Sequence, residues 1–232
     1  MSILTKQEQK NFSKFFDHTL LKPDARESQI TQLCQEAIHF QFASVCVNPY
    51  YVPLVARLLK DSQVKVCTVV GFPLGAQLIQ VKSFEARRVI LEGAQEVDMV
   101  INIGALKDGK LDEVELDIFE VVKECRLLNA RCKVILETAL LTDEEKLIAC
   151  KAAIQGGAHF VKTSTGFGPG GATVHDVQLL KEAVKGTRVE VKAAGGIHSF
   201  ADAVQMIKAG ATRLGTSATV KIMQAFQEQL KK

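Results

Sequence analysis

Residues 96–137 read EVDMVINIGALKDGKLDEVELDIFEVVKECRLLNARCKVILE and contain one strand–helix–strand unit. Its two ends, Glu96–Ile101 and Lys133–Glu137, are short runs rich in β-branched residues that predict strands. Its middle, Leu111–Leu128, repeats apolar residues at helical spacing. Two strands joined by a helix predict a parallel pair with a right-handed crossover.

The same unit recurs along the rest of the chain. The other predicted strands are Phe16–Leu21, Ala43–Val47, Lys65–Val70, His159–Lys162, Arg188–Lys192 and Arg213–Leu214. The other predicted helices are Glu27–Phe40, Gln77–Leu91, Asp143–Gln155, Val174–Val184, Ser199–Ala209 and Ser217–Leu230. About eight such units in 232 residues predict an α/β fold of the (β/α)8 TIM barrel type.

No linker-like stretch divides the chain, so we expect residues 1–232 to form a single domain. An open doubly wound sheet is the alternative fold. That fold normally carries a GxGxxG motif after its first strand, where this chain has Lys22-Pro23-Asp24.

Charge balance and cysteine spacing argue against several classes of protein. The net charge of +3 is too small to predict nucleic acid or an anionic membrane as a partner. No apolar run approaches the roughly 18 residues of a membrane helix, and we expect a cytoplasmic protein. The six cysteines form no CxxC pair and the five histidines show no metal-ligand spacing. We therefore expect free buried thiols, no metal and no other cofactor.

Two lysines end neighbouring predicted strands. Lys162 closes HFVK and Lys192 closes VEVK, so in a barrel both would reach the same mouth. A second ammonium group and partial desolvation both favour a neutral lysine, which can attack a carbonyl to form a Schiff base. Two surface lysines at strand ends are the competing interpretation. Apolar strand residues and Gly/Ser/Thr loops flank both lysines, which favours the catalytic interpretation.

Three carboxylates are candidate partners for these lysines. Asp98 lies inside an apolar strand, where an unpaired acid is costly, so we expect it to pair with a lysine, to transfer protons, or both. Glu137 is a weaker candidate whose plainer interpretation is a hydrogen-bonded barrel carboxylate. Glu190 precedes Lys192 by two residues and would point to the same side of its strand.

Glycine-rich loops follow the last three predicted strands. In barrels, the loops after strands seven and eight commonly bind phosphate through backbone N–H groups. Tight turns are the other use of glycine, but three clusters in succession favour a phosphate site. Cys46 is either a residue that fills the barrel or a thiol at the substrate mouth. The candidate substrate-binding residues are Cys46, Thr165, Gly166, Gly195, Gly196, Gly215 and Ser217.

Together these stretches resemble the deoxyribose-phosphate aldolase family over nearly the whole chain. They are DHTLLKPDA (17–25), ASVCVNP (43–49), TVVGFPLG (68–75), EVDMVINIGALKDG (96–109), KVILETALL (133–141), FVKTSTGFGPGGAT (160–173), VKAAGGIHSFADA (191–203) and GTSAT (215–219). The VKTSTGF element is highly specific, and its pairing with KAAGGI makes a chance agreement improbable.

The resemblance implies a role for each candidate residue. Lys162 corresponds to the lysine that forms the Schiff base, Lys192 to the second lysine, and Asp98 to the acid of the proton relay. The glycines and Ser217 fall on the phosphate loops, and Cys46 on a thiol near the substrate. Some members place a lysine near the phosphate where this chain has Phe167.

The resemblance also implies a reaction. It is the reversible cleavage of 2-deoxyribose 5-phosphate to acetaldehyde and glyceraldehyde 3-phosphate, in deoxyribonucleotide catabolism. The partners would be this sugar phosphate and acetaldehyde, with a homo-oligomer left open. Another Schiff-base barrel acting on sugar phosphates, such as a transaldolase, is the enzyme alternative. A catalytically silent barrel that only binds phosphorylated metabolites is the non-enzyme alternative.

Overall fold

Eight parallel strands close into a barrel in the computed structural model, which describes residues 4–231. The strands are β1 Phe16–Leu20, β2 Ser44–Val47, β3 Lys65–Val70, β4 Glu96–Val100, β5 Arg131–Ile135, β6 Phe160–Lys162, β7 Glu190–Ala194 and β8 Arg213–Thr216. Each pairs with its neighbours in sequence, and β8 closes on β1 with Asp17 opposite Gly215. The predicted (β/α)8 barrel is confirmed.

Helices separate the strands and form the outer layer of the barrel. They are α1 Lys6–Lys10, α2 Glu27–Phe40, α3 Val52–Leu58, α4 Ile79–Leu91, α5 Ile103–Lys107, α6 Leu111–Leu127, α7 Asp143–Gln155, α8 Val174–Ala183, α9 Phe200–Ala209 and α10 Thr219–Leu230. The seven predicted helices are all present. The sequence argument missed α1, α3 and α5, because five to seven residues are too few to show a helical period.

Several predicted strand ends were wrong by a few residues. β5 ends at Ile135 rather than Glu137, because Glu137 has the left-handed backbone angle φ 58° and leaves the sheet. β7 continues past Lys192 to Ala194, since Ala193 and Ala194 still pair with β8. Lys192 therefore lies in the middle of its strand and not at the end.

Side-chain caps and a glycine mark the ends of two of the helices, α7 and α9. The Thr142 hydroxyl accepts from the N–H of Glu145, whose carboxylate accepts from the N–H of Thr142. Ser199 and Asp202 form the same box at the start of α9. Gly210 ends α9 with φ 116°, a conformation that favours glycine. These caps fix where the helices return toward the next strand.

The apolar core lies mainly between the sheet and the surrounding helices. The interior of the barrel instead holds charged side chains, which belong to the site described next. Among residues 4–231 no helix is both long and apolar enough to cross a lipid bilayer.

Candidate active site

Lys162 and Lys192 lie side by side across the β6–β7 pair. The register places them directly opposite each other, and both side chains are buried. Each ammonium nitrogen donates to the same oxygen of Asp98, at 2.8 Å from Lys162 and 2.7 Å from Lys192. Asp98 comes from β4 and is completely buried. The structure thus brings together the three candidate catalytic residues, and the expected pairing of Asp98 with a barrel lysine is present.

A third lysine, which the sequence argument did not identify, completes the set around Asp98. Lys133 of β5 lies opposite Asp98 in the register and donates to its second oxygen at 2.8 Å. Its nitrogen is also 2.6 Å from Glu96 and 3.2 Å from the sulfur of Cys67. Lys133 therefore holds Asp98 from the side away from Lys162.

Two residues, one on the first strand and one on the last, extend the network around Lys192. Asp17 of β1 accepts from Lys192 at 2.5 Å and from Arg213 of β8 at 2.6 Å. Arg213 also donates to Glu96 at 2.8 Å. The resulting network joins six strands through buried ion pairs.

Each of these ion pairs shifts a pKa. Burial disfavours the charged form of Asp98, but Lys133, Lys162 and Lys192 outweigh it and hold the pKa of Asp98 well below its usual range. Burial also disfavours charged Lys192, yet Asp17 and Asp98 raise the pKa of that lysine. The pKa of Lys133 is raised in the same way, by Asp98 above all.

The charges inside the barrel do not balance one to one. Within the described part of the chain, the network contains three carboxylates and four cationic side chains, namely Asp17, Glu96 and Asp98 with Lys133, Lys162, Lys192 and Arg213. Lys133, Lys192 and Arg213 each contact two carboxylates or more. Lys162 contacts only one carboxylate oxygen, which Lys192 also uses. Lys162 therefore has fewer carboxylate contacts than the other three cations of the network.

Lys162 is also the network lysine that lines a cavity. The cavity has a volume of about 350 Å³ and opens at the carboxyl ends of β1, β6, β7 and β8. Six of the seven candidate substrate-binding residues line it, namely Thr165, Gly166, Gly195, Gly196, Gly215 and Ser217. This is the face where barrels carry their binding loops.

Local backbone geometry explains two of these glycines. Gly166 and Gly196 have φ of 86° and 76°, and open space surrounds the position where a side chain would begin. A side chain there would be strained and would project into that space. Gly215 lies beside Lys192, and a Cβ there would be 3.0 Å from the lysine Cε.

The rim of the cavity carries three further groups. Lys22 follows β1, is exposed, and has no ion pair with any described residue. His198 lies after β7 near the start of α9. Phe167 is 51% exposed and packs edge-on against Phe72, with ring centroids 5.4 Å apart. The DHTLLKP stretch contained the signal for Lys22, but no local pattern shows that it reaches this cavity.

One candidate is not where the sequence argument placed it, and another takes the plainer of its two expected positions. Glu190 is wrong as a lysine partner, because it accepts from Arg131 at 2.9 Å and is partly exposed. Its strand begins at Glu190, so its side chain lies at the opposite end of the barrel from the cavity. Cys46 is buried beside Cys67, Val69 and Leu21 and does not line the cavity.

Glu137 is a structural carboxylate, as its plainer interpretation expected. It accepts from the N–H and the hydroxyl of Thr165. This bond fixes the start of the loop that carries Gly166 and Phe167.

Within residues 4–231, two groups of side chains have the composition of a metal site. They are Cys46, Cys67 and Asp98, and Asp17, Cys67 and Glu96. The nitrogen of Lys133 lies within hydrogen-bonding distance of Cys67, Glu96 and Asp98 and supplies the positive charge there. A cation would have to displace a buried ammonium group, so these residues do not favour a metal ion.

Comparison with known proteins gives one consistent result. The family model of the DeoC/LacD family aldolases matches residues 13–225. A Carboxydothermus hydrogenoformans protein named deoxyribose-phosphate aldolase is 60% identical, over 92% of this chain and 94% of its own. A Bdellovibrio bacteriovorus protein of the same name is 58% identical, over 94% of this chain and 97% of its own.

Solved structures agree with the sequence relatives. An aldolase named QR15 superposes with a TM-score of 0.89 at 41% identity, covering 94% of this chain and 97% of its own. A deoxyribose phosphate aldolase from Aeropyrum pernix, reported as a unique tetrameric structure, also superposes with a TM-score of 0.89. Its identity is 34%, over 95% of this chain and 93% of its own.

Proposed function

The chain belongs to the DeoC/LacD family of aldolases, and from that membership we propose that it cleaves 2-deoxyribose 5-phosphate to acetaldehyde and glyceraldehyde 3-phosphate, reversibly. The names of its relatives support the substrate. We place the reaction in deoxyribonucleotide catabolism in the cytoplasm. The tetrameric Aeropyrum pernix relative supports a homo-oligomer.

Lys162 is the nucleophile in this proposal. The supporting observation is the charge balance of the barrel, in which Lys162 contacts one carboxylate oxygen that it shares and also faces the cavity. Its neutral amine attacks the aldehyde carbon of the open-chain sugar, and loss of water gives an iminium ion. The enzyme needs no other electrophile, because the iminium nitrogen accepts the electron pair of the bond that breaks.

Cleavage then follows from the iminium ion. The hydroxyl on the third carbon loses its proton, the bond between the second and third carbons breaks, and glyceraldehyde 3-phosphate leaves. The remaining enamine takes a proton on carbon, and water releases acetaldehyde and regenerates the amine. We assign these proton transfers to Asp98 and Lys192 acting through water, since both lie within 3 Å of each other and adjoin Lys162.

The phosphate lies at the rim of the cavity in this proposal. The N–H groups of Gly195, Gly196 and Ser217 are available to it beside the start of α10. Lys22 stands next to these loops, because β1 pairs with β8 in the closed barrel. Some family members have a lysine near the phosphate where this chain has Phe167, and here the free ammonium group of Lys22 supplies that positive charge.

Trapping of the iminium ion tests the proposal. The protein is incubated with acetaldehyde and sodium borohydride, digested, and mapped by mass spectrometry. We expect one reduced adduct, on Lys162, and none in Lys162→Arg. An adduct on Lys192 alone would overturn the assignment of the nucleophile. Absence of any adduct, together with no cleavage of 2-deoxyribose 5-phosphate in a coupled assay, would overturn the proposed reaction.

A further inference from the structure

Lys22 lies on a tight turn at the rim of the cavity. The N–H of Ala25 donates to the carbonyl of Lys22 at 3.2 Å, which closes a four-residue β-turn with Pro23 at its second position. Proline fixes its own φ angle near the value that this position of a turn requires. Lys22, Pro23 and Asp24 are all exposed, so burial of their side chains does not hold the turn in place.

Two residues of the loop after β2 hold the turn at both of its ends. The side-chain amide of Asn48 donates to the carbonyl of Leu21 at 3.1 Å, just before the turn. The hydroxyl of Tyr51 donates to the carbonyl of Ala25 at 2.5 Å, at the last residue of the turn. Both bonds are partly buried, so water competes with them less than it would at an exposed site.

The order of the strands brings the two loops together. β1 and β2 are parallel neighbours whose register pairs Leu20 with Val47, so the residues that follow each strand lie side by side. Asn48 and Tyr51 lie in one short helical turn, in which the N–H of Tyr51 donates to the carbonyl of Asn48 at 3.0 Å. The ring of Tyr51 packs against the apolar core. The two donors are therefore fixed relative to each other and to the barrel.

Asn48 and Tyr51 do not line the cavity, whereas Lys22 does. We therefore expect them to affect a bound anion through the turn that they hold. A lysine side chain loses conformational freedom when it binds an anion, and that loss lowers the affinity. A turn that is already fixed in the free protein reduces the loss, because only the side chain of Lys22 then has to become ordered.

We propose that Asn48 and Tyr51 are positioning residues for the phosphate group of the substrate and that they act through Lys22. The proposal rests on the proposed function, in which the ammonium group of Lys22 supplies positive charge to the phosphate. It gives two residues outside the cavity a role in specificity. They favour phosphorylated over free sugars without contact with the reacting carbon atoms.

The Michaelis constant tests this role. In Tyr51→Phe, which removes a hydroxyl group and keeps the ring, we expect KM for 2-deoxyribose 5-phosphate to rise about fivefold, the effect of losing one neutral hydrogen bond. Both kcat and KM for free deoxyribose should stay within about twofold of the wild-type values, because no group at the reacting atoms has changed. Asn48→Ala should give the same pattern. Tyr50→Phe is the matched control, because Tyr50 is 84% exposed and the variant loses the same atom.

A double variant shows whether Tyr51 acts through Lys22. In the Lys22→Gln background, Tyr51→Phe should change KM by less than about twofold, because the charge that Tyr51 positions is absent. The same rise in that background as in the wild type would mean that Tyr51 acts independently of Lys22, and it would overturn the proposal. Equal changes in Tyr51→Phe and Tyr50→Phe would also overturn it.

Binding of inorganic phosphate separates this proposal from the proposed reaction. Phosphorus NMR gives the Kd without turnover, and Tyr51→Phe should raise it about fivefold with Lys22 present and by less than about twofold in Lys22→Gln. If this pattern is found and the wild-type protein does not cleave 2-deoxyribose 5-phosphate, the reaction is wrong and the positioning role stands. If the wild-type protein cleaves the sugar phosphate and Tyr51→Phe matches it in both KM and Kd, the positioning role is wrong and the reaction stands.

Discussion

Lys192 is a buried residue that is ion-paired on two sides. Asp17 and Asp98 hold it from two sides, and the raised pKa of Lys192 keeps it an ammonium ion at neutral pH. The sequence argument requires such a permanent charge, because a positive neighbour favours a neutral Lys162. The structure adds that Lys162 and Lys192 both donate to one oxygen of Asp98.

Without Lys192, Lys162 would be the only one of these two lysines that contacts the Asp98 oxygen they now share. In Lys192→Leu we expect kcat at pH 7 to fall by about 100-fold or more, since Lys162 becomes the counter-ion of Asp98 and holds its proton. The rate of the variant should then rise with pH well above neutrality, where we expect the wild-type rate to be level. The measurement is the pH–rate profile of both proteins from about pH 6 to 10.

The shape of that profile separates two roles. A low and flat profile would contradict the charge role and leave Lys192 as a proton relay only. Wild-type activity at pH 7 would contradict both. Circular dichroism of the variant checks that the barrel is intact.

Lys22 should decide the preference for a phosphorylated substrate. In Lys22→Gln we expect KM for 2-deoxyribose 5-phosphate to rise about tenfold, the effect of losing one charged hydrogen bond, with little change for free deoxyribose. Lys185→Gln is the control, because Lys185 is 73% exposed just past the end of α8 and, among the described residues, pairs only with Glu182. Equal changes for both sugars would place the phosphate elsewhere.

At the scale of the elements, one buried ion pair connects α4 and α6 to β4, the strand that carries Asp98. Lys82 of α4 donates to the carbonyl of Val100 at 2.9 Å and to Asp117 of α6 at 2.5 Å. Both charged side chains are almost completely buried. Val100 ends β4, two residues after Asp98, so this pair fixes the strand that carries the central carboxylate.

Breaking this pair should destabilise the barrel strongly. Lys82→Met leaves a buried charge on Asp117, and we expect the free energy of unfolding to fall by about 3–5 kcal/mol. The double variant Lys82→Met/Asp117→Leu should lose less, because no charge is left unpaired. Urea unfolding followed by circular dichroism gives both values. A double variant that is less stable than Lys82→Met would show that the ion pair itself is not the cause.

At the scale of the whole molecule, the interior of the barrel contains charged side chains instead of an apolar core. Burial opposes ionisation of Asp17, Glu96 and Asp98, but the lysines and Arg213 outweigh it and lower the pKa of all three carboxyls. A carboxyl whose pKa is lower in the folded state stabilises the fold above its unfolded pKa of about 4 and loses that contribution as the pH falls. We therefore expect the network to make the folded protein lose more stability in acid than in mild alkali.

The melting temperature should accordingly fall most steeply below about pH 4. Burial also lowers the pKa of His18, which adds a smaller loss as the pH falls below about 6.5. Differential scanning calorimetry at pH 7, 5, 4 and 3 measures both effects. A melting temperature that is constant from pH 5 to 3 would mean that the three carboxyls are not ion-paired in the folded protein.

The sequence by itself determined the barrel and the Lys162–Lys192 pair. Alternating strand and helix periods are local, and the two lysines occupy matching positions on consecutive strands, so their meeting follows from adjacency alone. Glycine clusters after consecutive strands identified the cavity loops for the same reason. That residues 1–232 form one domain stays a prediction.

Only the tertiary structure decided which charged residues enter the barrel. Asp17, Glu96, Lys133 and Arg213 come from β1, β4, β5 and β8, and their meeting depends on the closure and stagger of the whole barrel. A parallel strand buried on both faces gives no alternation of apolar and polar residues that shows which side chains point inward. The misassignment of Glu190 has a related cause. A spacing of two residues shows that two side chains share a face of a strand, but it does not show how far along the barrel axis each one lies.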